Sequence, residues 1–311
     1  MESFGGVLFP GGLHTQESLK LAVDFPFQET DVLIVSYPKS GTTWMQEIIT
    51  LILGRGDPHL SHTVPNWARA PWLEHHYFAE LQEASSSQPR VFTTHLPNHL
   101  LVPALQEPPG SNVKVIYVSR NPKDVAVSFY HFHKLAAFLP EFSTFEEFLH
   151  HFLDGRLCYG SWFDHIKGWT DQRRAPSNLL LVTYEEMSLD LSGTIQKVSS
   201  YLRRPLVEDE VNSCVKHCSF SSMKVNKMVE LQPGCKRHNG PQQRFLHEES
   251  SAQIKICFAA SFSCNNPGKV GDWKTMFTEE QDEYFNSVFK SKMDDCALDF
   301  VWEEQQKPPQ D

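Results

Sequence analysis

Residues that could bind an anion cluster at one predicted junction between a strand and a helix. The segment Tyr37–Trp44 reads YPKSGTTW; an apolar, β-branched run precedes it and a helical pattern follows it. Unpaired N–H groups and the helix dipole favour negative charge at a helix N-terminus. Lys39 adds a cation and Gly41 lets the backbone approach a phosphate, while Thr42 and Thr43 add hydroxyl donors. The alternative is a plain strand–turn–helix with a capping hydroxyl, since the order of Lys and Gly differs from the P-loop pattern GxxxxGK(S/T).

A second cationic segment, SRNPKD, could hold another anion. Arg120 stands at the predicted end of a strand, where open α/β sheets bind ligands. A guanidinium can grip a phosphate with two parallel hydrogen bonds. Asp124 is predicted to cap the helix that follows, and Ser128 lies one helical turn later. The alternative is an ordinary surface arginine beside a helix cap.

His95 is the candidate for proton transfer. It directly follows the strand-like run Val91–Thr94. An imidazole with a pKa near its ordinary value of about 6.5 can take a proton from a hydroxyl group at neutral pH. A buried structural histidine is the alternative, because the chain has 15 histidines.

Aromatic residues suggest two further surfaces. Three of them could flank a purine: Trp44, Tyr184 and Phe220. A second set could line an apolar pocket for a second substrate: the stretch Phe129–His133 together with Trp67, Trp72, Tyr77 and Phe138. For any one of these side chains, packing in the core is the alternative.

Strand-like and helical patterns alternate along the chain and must position these residues. Four strands are predicted: Val32–Ser36, Val91–Thr94, Val113–Ser119 and Leu179–Val182. A helix is predicted over Thr42–Leu53, ending at Gly54. The run Leu179–Val182 is wholly apolar, which is typical of a strand buried on both faces. The alternation predicts an α/β fold with a parallel sheet, and the absence of a linker predicts a single domain over residues 1–311.

Composition excludes several classes of protein. The chain has 311 residues, of which 40% are hydrophobic, and a formal net charge of -10, which argues against nucleic acid as a partner. No apolar run approaches the roughly 18–20 residues of a membrane helix, and no secretory signal is recognisable. The seven cysteines form no CxxC pair and the histidines no HExxH motif, so neither a disulfide framework nor a zinc site is predicted. We expect a cytoplasmic protein that binds no membrane and no metal.

Taken together, the motifs resemble those of the cytosolic sulfotransferases. YPKSGTTW resembles the family's 5′-phosphosulfate loop, SRNPKDVAVSFYHF its 3′-phosphate segment, and THLP the segment with its catalytic histidine. GKVGDWKTMFTEEQ resembles its C-terminal signature. The resemblance runs from about Asp31 to Asp299. VPNWARAPWLE and GSWFDHIKGW are most similar to the hydroxysteroid or alcohol branch.

This resemblance implies a fold, a reaction and a set of site residues. The fold is a single α/β domain around a parallel sheet of about five strands, with a P-loop-like phosphosulfate-binding loop. The donor is 3′-phosphoadenosine 5′-phosphosulfate (PAPS), the acceptor is a hydroxyl or amine on a small apolar molecule, and no metal is needed. His95 would be the general base, and Lys39 would stabilise the leaving phosphate. The residues implied to bind the cofactor are Lys39, Ser40, Gly41, Thr42, Thr43, Trp44, Arg120, Ser128, Tyr184, Ser219, Phe220, Met223 and Gly268.

One segment departs from the family pattern. Before GDWK the family carries Arg-Lys-Gly, whereas this chain has Asn266, Pro267 and Gly268, and residues 225–268 are atypical. The alternative function is therefore a catalytically impaired relative that binds a nucleotide or small molecule. A P-loop nucleotide kinase is disfavoured, since it leaves the GDWK segment unexplained.

The C-terminal region also contains an incomplete dimerisation motif. Lys274, Thr278 and Glu283 fit the family pattern, but Glu279 replaces its valine. A charge in place of an apolar contact weakens a small interface. The sequence thus predicts at most a weak homodimer through the segment Lys274–Glu283.

Overall fold

A four-stranded parallel sheet forms the centre of the protein, in the strand order β4-β3-β5-β6. The computed structural model describes residues 1–84, 89–106, 110–171, 173, 175–229, 269–296 and 298–303. The strands are β1 (Glu2–Phe4), β2 (Val7–Phe9), β3 (Val32–Ser36), β4 (Val91–Thr94), β5 (Lys114–Ser119) and β6 (Leu179–Thr183). The α-helices are α1 (Gln16–Val23), α2 (Thr42–Leu53), α3 (His59–Thr63), α4 (Asn66–Arg69), α5 (Phe78–Ala84), α6 (Asn98–Gln106), α7 (Pro122–Leu135), α8 (Phe145–Leu153), α9 (Trp162–Thr170), α10 (Tyr184–Leu189), α11 (Leu191–Tyr201), α12 (Glu208–Cys218), α13 (Phe220–Val225) and α14 (Glu279–Met293). Two 3-10 helices span Gly110–Asn112 and Asp272–Thr275, and β1 and β2 form an antiparallel hairpin.

Strand β3 shows why the apolar runs of the sequence become sheet. All five of its residues are buried, and it lies between β4 and β5. Leu33 and Val35 pack into one hydrophobic cluster, whereas Val32 and Ile34 pack into a second cluster that includes α2. Alternate side chains point to opposite faces, so a strand covered on both faces needs a continuous apolar run. The predicted α/β fold with a parallel sheet between helices is confirmed.

The edges of the sheet differ from the prediction in two ways. β6 is an edge strand, and only Val182 within it is fully buried, although its side chains pack against the hydrophobic clusters on both faces of the sheet as predicted. It pairs with β5 alone among the described strands, so its outer side meets no further strand. The resemblance implies about five strands. The described residues form four, and beside β4 Trp72 and Thr93 make a single parallel bridge.

The carboxyl ends of all four strands lie at the same edge of the sheet, where open α/β sheets bind ligands. Their last residues are Ser36, Thr94, Ser119 and Thr183. His95, Arg120 and Tyr184 each come directly after one of these ends, and the YPKSG loop follows the fourth. Parallel pairing therefore brings together residues that are distant in sequence.

The start of α7 corrects another expectation. Asn121, rather than Asp124, caps the helix: Asn121 Oδ1 accepts a hydrogen bond from the N–H of Asp124 at 2.9 Å. Pro122 occupies the first helical position, and the residue before a proline is disfavoured as helix, which suits it to be the cap. The Asp124 carboxylate accepts the backbone N–H groups of Gly271 and Trp273, both at 2.9 Å. It thereby attaches the GDWK segment to α7.

In the described ranges, no helix is long and apolar enough to cross a membrane. The predicted boundaries, one domain over residues 1–311 with residues 31–299 resembling the family, stay a prediction. Most of the atypical segment, residues 230–268, lies outside the described residues.

Candidate active site

The loop between β3 and α2 is held in an unusual backbone conformation. Gly41, the residue before α2, has φ +102°, a region that L side chains resist. A Cβ atom at this position would lie 2.8 Å from Cδ2 of Tyr184. Lys39 also has a positive φ, +70°. For Lys39, which is not a glycine, such a conformation costs on the order of 1–3 kcal/mol, and strain of this kind is concentrated at functional sites.

Arg120 reaches this loop from the end of β5. Its side chain lies over the ring of Tyr184, with 4.2 Å from Cζ to the ring centroid, and its Nη1 is 3.4 Å from the carbonyl oxygen of Lys39. Arg120 Nε is buried and finds no hydrogen-bond partner among the described residues, and the same is true of Ser40 Oγ. Buried donors without a partner are costly. An anion at the guanidinium group would satisfy Arg120 Nε.

His95 is held by its backbone and by one ring nitrogen. Its Nδ1 is 2.6 Å from the carbonyl oxygen of Ser36, and its backbone N–H donates to Glu74 Oε1 at 2.7 Å. Because a carbonyl only accepts, Nδ1 carries the ring proton and Nε2 of the neutral ring is the basic atom. Burial lowers the pKa of His95 to about 3. The imidazole is therefore neutral at physiological pH, the form in which it can accept a proton.

A single cavity joins these groups to an aromatic surface. The predicted cofactor residues that line it are Lys39, Gly41, Thr42, Thr43, Trp44, Arg120, Ser128, Tyr184 and Phe220. We call the loop Lys39–Trp44 together with Arg120 the anion end. His95, Trp72, Phe129 and Phe138 also line the cavity and are called the aromatic end. The imidazole of His95 is packed against Trp72, with ring centroids 4.3 Å apart.

Several predicted site residues do not line this cavity. Ser40 is buried within the loop. Ser219 caps α13, and Met223 is buried in the cluster that contains Trp44. Trp67 and Tyr77 pack on Trp72, away from the cavity lining. Gly268 lies outside the described residues.

Several lining residues were not predicted. They include Leu13, His75, Leu139, Tyr159 and Asp272. Phe132, from the aromatic stretch that was predicted to line an apolar pocket, also lines the cavity, with its ring centroid 4.6 Å from Lys39 Nζ. Tyr159 has φ +68°, and Asp272 belongs to GDWK. Leu13 and His75 carried no signal, because their contribution depends on how segments that are distant in sequence pack together.

Comparison with known proteins identifies the class. The family model described as "Sulfotransferase domain" matches residues 29–297, so the chain belongs to the sulfotransferase family. It is 39% identical to human Sulfotransferase 2B1 over 305 residues, covering 97% of this chain and 76% of the relative. It is 36% identical to 3-alpha-hydroxysteroid sulfotransferase of Cavia porcellus, covering 97% of each chain. The solved structure of mouse sulfotransferase SULT7A1 complexed with PAP superposes with a TM-score of 0.72 at 29% identity, covering 95% of this chain and 96% of that one.

These findings confirm the predicted family, its steroid or alcohol branch and the enzyme class. PAP is the desulfated product of PAPS, so the predicted co-substrate of this class is also confirmed. The residues at the anion end fit such a molecule. Arg120 Nε is a buried donor without a partner in the described part of the chain, and a Cβ at Gly41 would lie 2.8 Å from Cδ2 of Tyr184. By the resemblance to the family, the 5′ end would be held by Lys39, Ser40, Gly41, Thr42 and Thr43, the adenine would lie against Trp44, and the 3′-phosphate would contact Arg120 and Ser128.

Proposed function

We propose that the protein transfers the sulfuryl group of PAPS to a hydroxyl group of a small apolar alcohol, such as a steroid. His95 acts as the general base and Lys39 stabilises the leaving phosphate. The observation that carries the proposal is the shared cavity: a neutral imidazole and a cationic, strained phosphate loop line the same space.

His95 Nε2 accepts the proton of the acceptor hydroxyl group as that oxygen attacks. PAPS supplies an activated sulfuryl group, whose bond to the 5′-phosphate breaks in the transfer. Lys39 and the N-terminal N–H groups of α2 stabilise the negative charge that develops on that phosphate. The proton affinity of His95 rises when an anion occupies the cavity, because opposite charges attract.

An apolar acceptor suits the aromatic end. Phe129 is fully buried, Phe138 is half-buried, and Trp72 packs against His95. Such a surface favours a rigid apolar molecule over a charged one. The hydroxysteroid named for the Cavia porcellus relative belongs to this class. An amine on the same kind of skeleton is the second acceptor that we propose to test.

We further propose a cytoplasmic location and at most a weak homodimer. Lys274 and Glu283, the ends of the predicted dimer segment, are both exposed. Lys274 is paired with Glu303 of its own chain. That contact competes with an intermolecular one.

The decisive experiment combines a labelled-donor assay with binding of PAP. The assay compares hydroxysteroids, phenols and amines, and we expect transfer to hydroxysteroids to be fastest. PAP should raise the melting temperature, because a ligand that binds only the native state stabilises it. A protein that binds PAP and transfers to none of these acceptors would be the impaired relative.

A matched pair of variants tests the anion end itself. Arg120→Lys keeps the charge but loses the planar fork, so PAP affinity should fall about 10- to 100-fold. Arg55→Lys is the control, because Arg55 is exposed and pairs with Glu210. Equal PAP affinities for both variants would refute the assignment of Arg120.

A further inference from the structure

Three buried side chains outside the predicted site converge beside the aromatic end. One ligand atom from each of His14, Glu74 and His75 lies within 4.8 Å of the other two. All three residues are at most 3% exposed. We propose that His14, Glu74 and His75 bind a zinc ion or a similar divalent transition-metal ion. This inference does not rest on the proposed function.

The hydrogen bonding of His14 leaves one ring nitrogen ready to bind a metal. Its Nδ1 lies 2.9 Å from the carbonyl oxygen of Pro10, so Nδ1 carries the ring proton. The lone pair is then on Nε2, which is buried and has no hydrogen-bond partner within the described chain. Metal-bound histidines characteristically donate their other N–H to a carbonyl or carboxylate. His14 already has this arrangement.

Glu74 offers an oxygen atom that is likewise buried and has no hydrogen-bond partner among the described residues. Oε1 accepts the backbone N–H of His95 at 2.7 Å. Oε2 is buried, and no described residue donates to it. A buried carboxylate oxygen without a donor is costly, and a cation offsets that cost. Glu74 can therefore hold His95 with one oxygen and an ion with the other.

The scaffold around the cluster holds its two chain segments together. Ser18 Oγ donates to the carbonyl oxygen of Glu74 at 2.8 Å. The backbone N–H of His76 donates to the carbonyl oxygen of Leu13 at 2.9 Å. The rings of His14 and His75 are in edge contact, with centroids 4.9 Å apart. Bonds of about 2.0–2.1 Å in a tetrahedral zinc site place ligand atoms roughly 3.3 Å apart, so small side-chain rotations would complete the site.

The donor set selects the kind of ion, and the cavity supplies a path. Two imidazole nitrogens and one carboxylate are a zinc-type set that leaves a fourth position to water. Magnesium and calcium prefer oxygen ligands only. His75 lines the cavity of the aromatic end, so an ion can enter from that side. The competing occupant is a proton on Glu74 shared with a histidine.

The test measures metal binding by the full-length, metal-free protein. Zinc affinity is obtained by competition with a chromogenic chelator, and cobalt(II) is titrated while its visible absorption is recorded. We expect one zinc ion per chain, no competition from magnesium, and a tetrahedral cobalt spectrum without a thiolate charge-transfer band. His14→Phe and Glu74→Gln should each weaken zinc binding by about 100-fold or more. His59→Phe, at an exposed histidine, is the matched control and should bind as the wild type does.

Three outcomes would overturn the proposal. The wild type fails to bind zinc, which leaves the proton as the occupant. The two cluster variants, folded by circular dichroism, bind zinc as tightly as the control. The cobalt complex shows a thiolate band, which places the ion on cysteines. The last measurement uses only the wild type, so it decides the question even if a variant does not fold.

Discussion

The anion end and the aromatic end of the cavity are built in different ways. The anion end is mostly one contiguous loop, and its special property is backbone conformation: Lys39 and Gly41 both have positive φ. The aromatic end takes His95, Trp72, Phe129 and Phe138 from separate parts of the chain. Its special property is burial, which keeps an imidazole neutral. The proposed phosphate-binding part is therefore a local feature, whereas the proposed proton-transfer part depends on tertiary packing.

Replacing the base should have the largest effect and should separate the two ends. His95→Ala removes the group that takes the acceptor proton, so kcat should fall about 10²- to 10⁴-fold. PAP affinity should change little, because the anion end is untouched. His59→Ala, at an exposed position, is the control. An unchanged kcat for His95→Ala would break the assignment.

In contrast to the replacement of His95, a change in the loop of the anion end should lower PAP affinity. Gly41→Ala places a Cβ 2.8 Å from Tyr184 Cδ2 in addition to its strained φ. We expect PAP affinity to fall about tenfold or more and stability to fall by about 1–3 kcal/mol. Gly6→Ala is the matched control, since Gly6 has φ +80° but a methyl group there would meet no atom within 4 Å. PAP affinity is measured by calorimetric titration, and stability by urea unfolding. Equal losses in both variants would show that the contact with Tyr184 is unimportant and that backbone strain alone causes the effect.

A buried imidazole that contacts the backbone of the aromatic end should make the protein sensitive to acid. Burial lowers the pKa of His165 to about 3, and His165 supports the backbone carbonyl of His95 through Nε2 at 3.2 Å. Below its ordinary pKa of about 6.5 the unfolded chain binds a proton that the native state does not, so stability falls as pH falls.

For one such histidine the loss between pH 7.5 and pH 5 is about 2 kcal/mol. Glutamine does not titrate, so the unfolding free energy of His165→Gln should depend less on pH. Between pH 7.5 and pH 5 it should fall by about 2 kcal/mol less than the unfolding free energy of the wild type. Parallel pH dependences in urea unfolding would contradict a neutral, buried His165.

The smallest effect is expected at the rim of the aromatic end. Phe138→Ala removes a half-buried ring and should lower kcat/KM for a hydroxysteroid by about 3- to 10-fold, roughly 1 kcal/mol. A short-chain alcohol that cannot reach the ring serves as control and should be unaffected. PAP affinity should be unchanged; a loss there would mean that the two ends are coupled.

The elements that were predicted well are those whose signal is local. The strand Val32–Ser36 and the helix Thr42–Leu53 match the observed bounds, because a continuous apolar run and a glycine-marked helix end are properties of neighbouring residues. The cap of α7 was assigned to Asp124 instead of Asn121, since several polar residues there were equally plausible caps. The edge position of Leu179–Val182 was not predicted, because the sequence of a single strand does not show which strands will pair with it.

The sequence by itself determined the class of fold, the family and the residue types of the proposed phosphate-binding loop. Adjacent residues in a loop set its backbone conformation, and their residue types already indicate its chemistry. Tertiary structure alone decided which nitrogen of His95 is basic and that Leu13 and His75 reach the cavity. It also brought His14 to Glu74. Those properties depend on burial and on contacts between distant segments, which are set by how the sheet and its helices pack together.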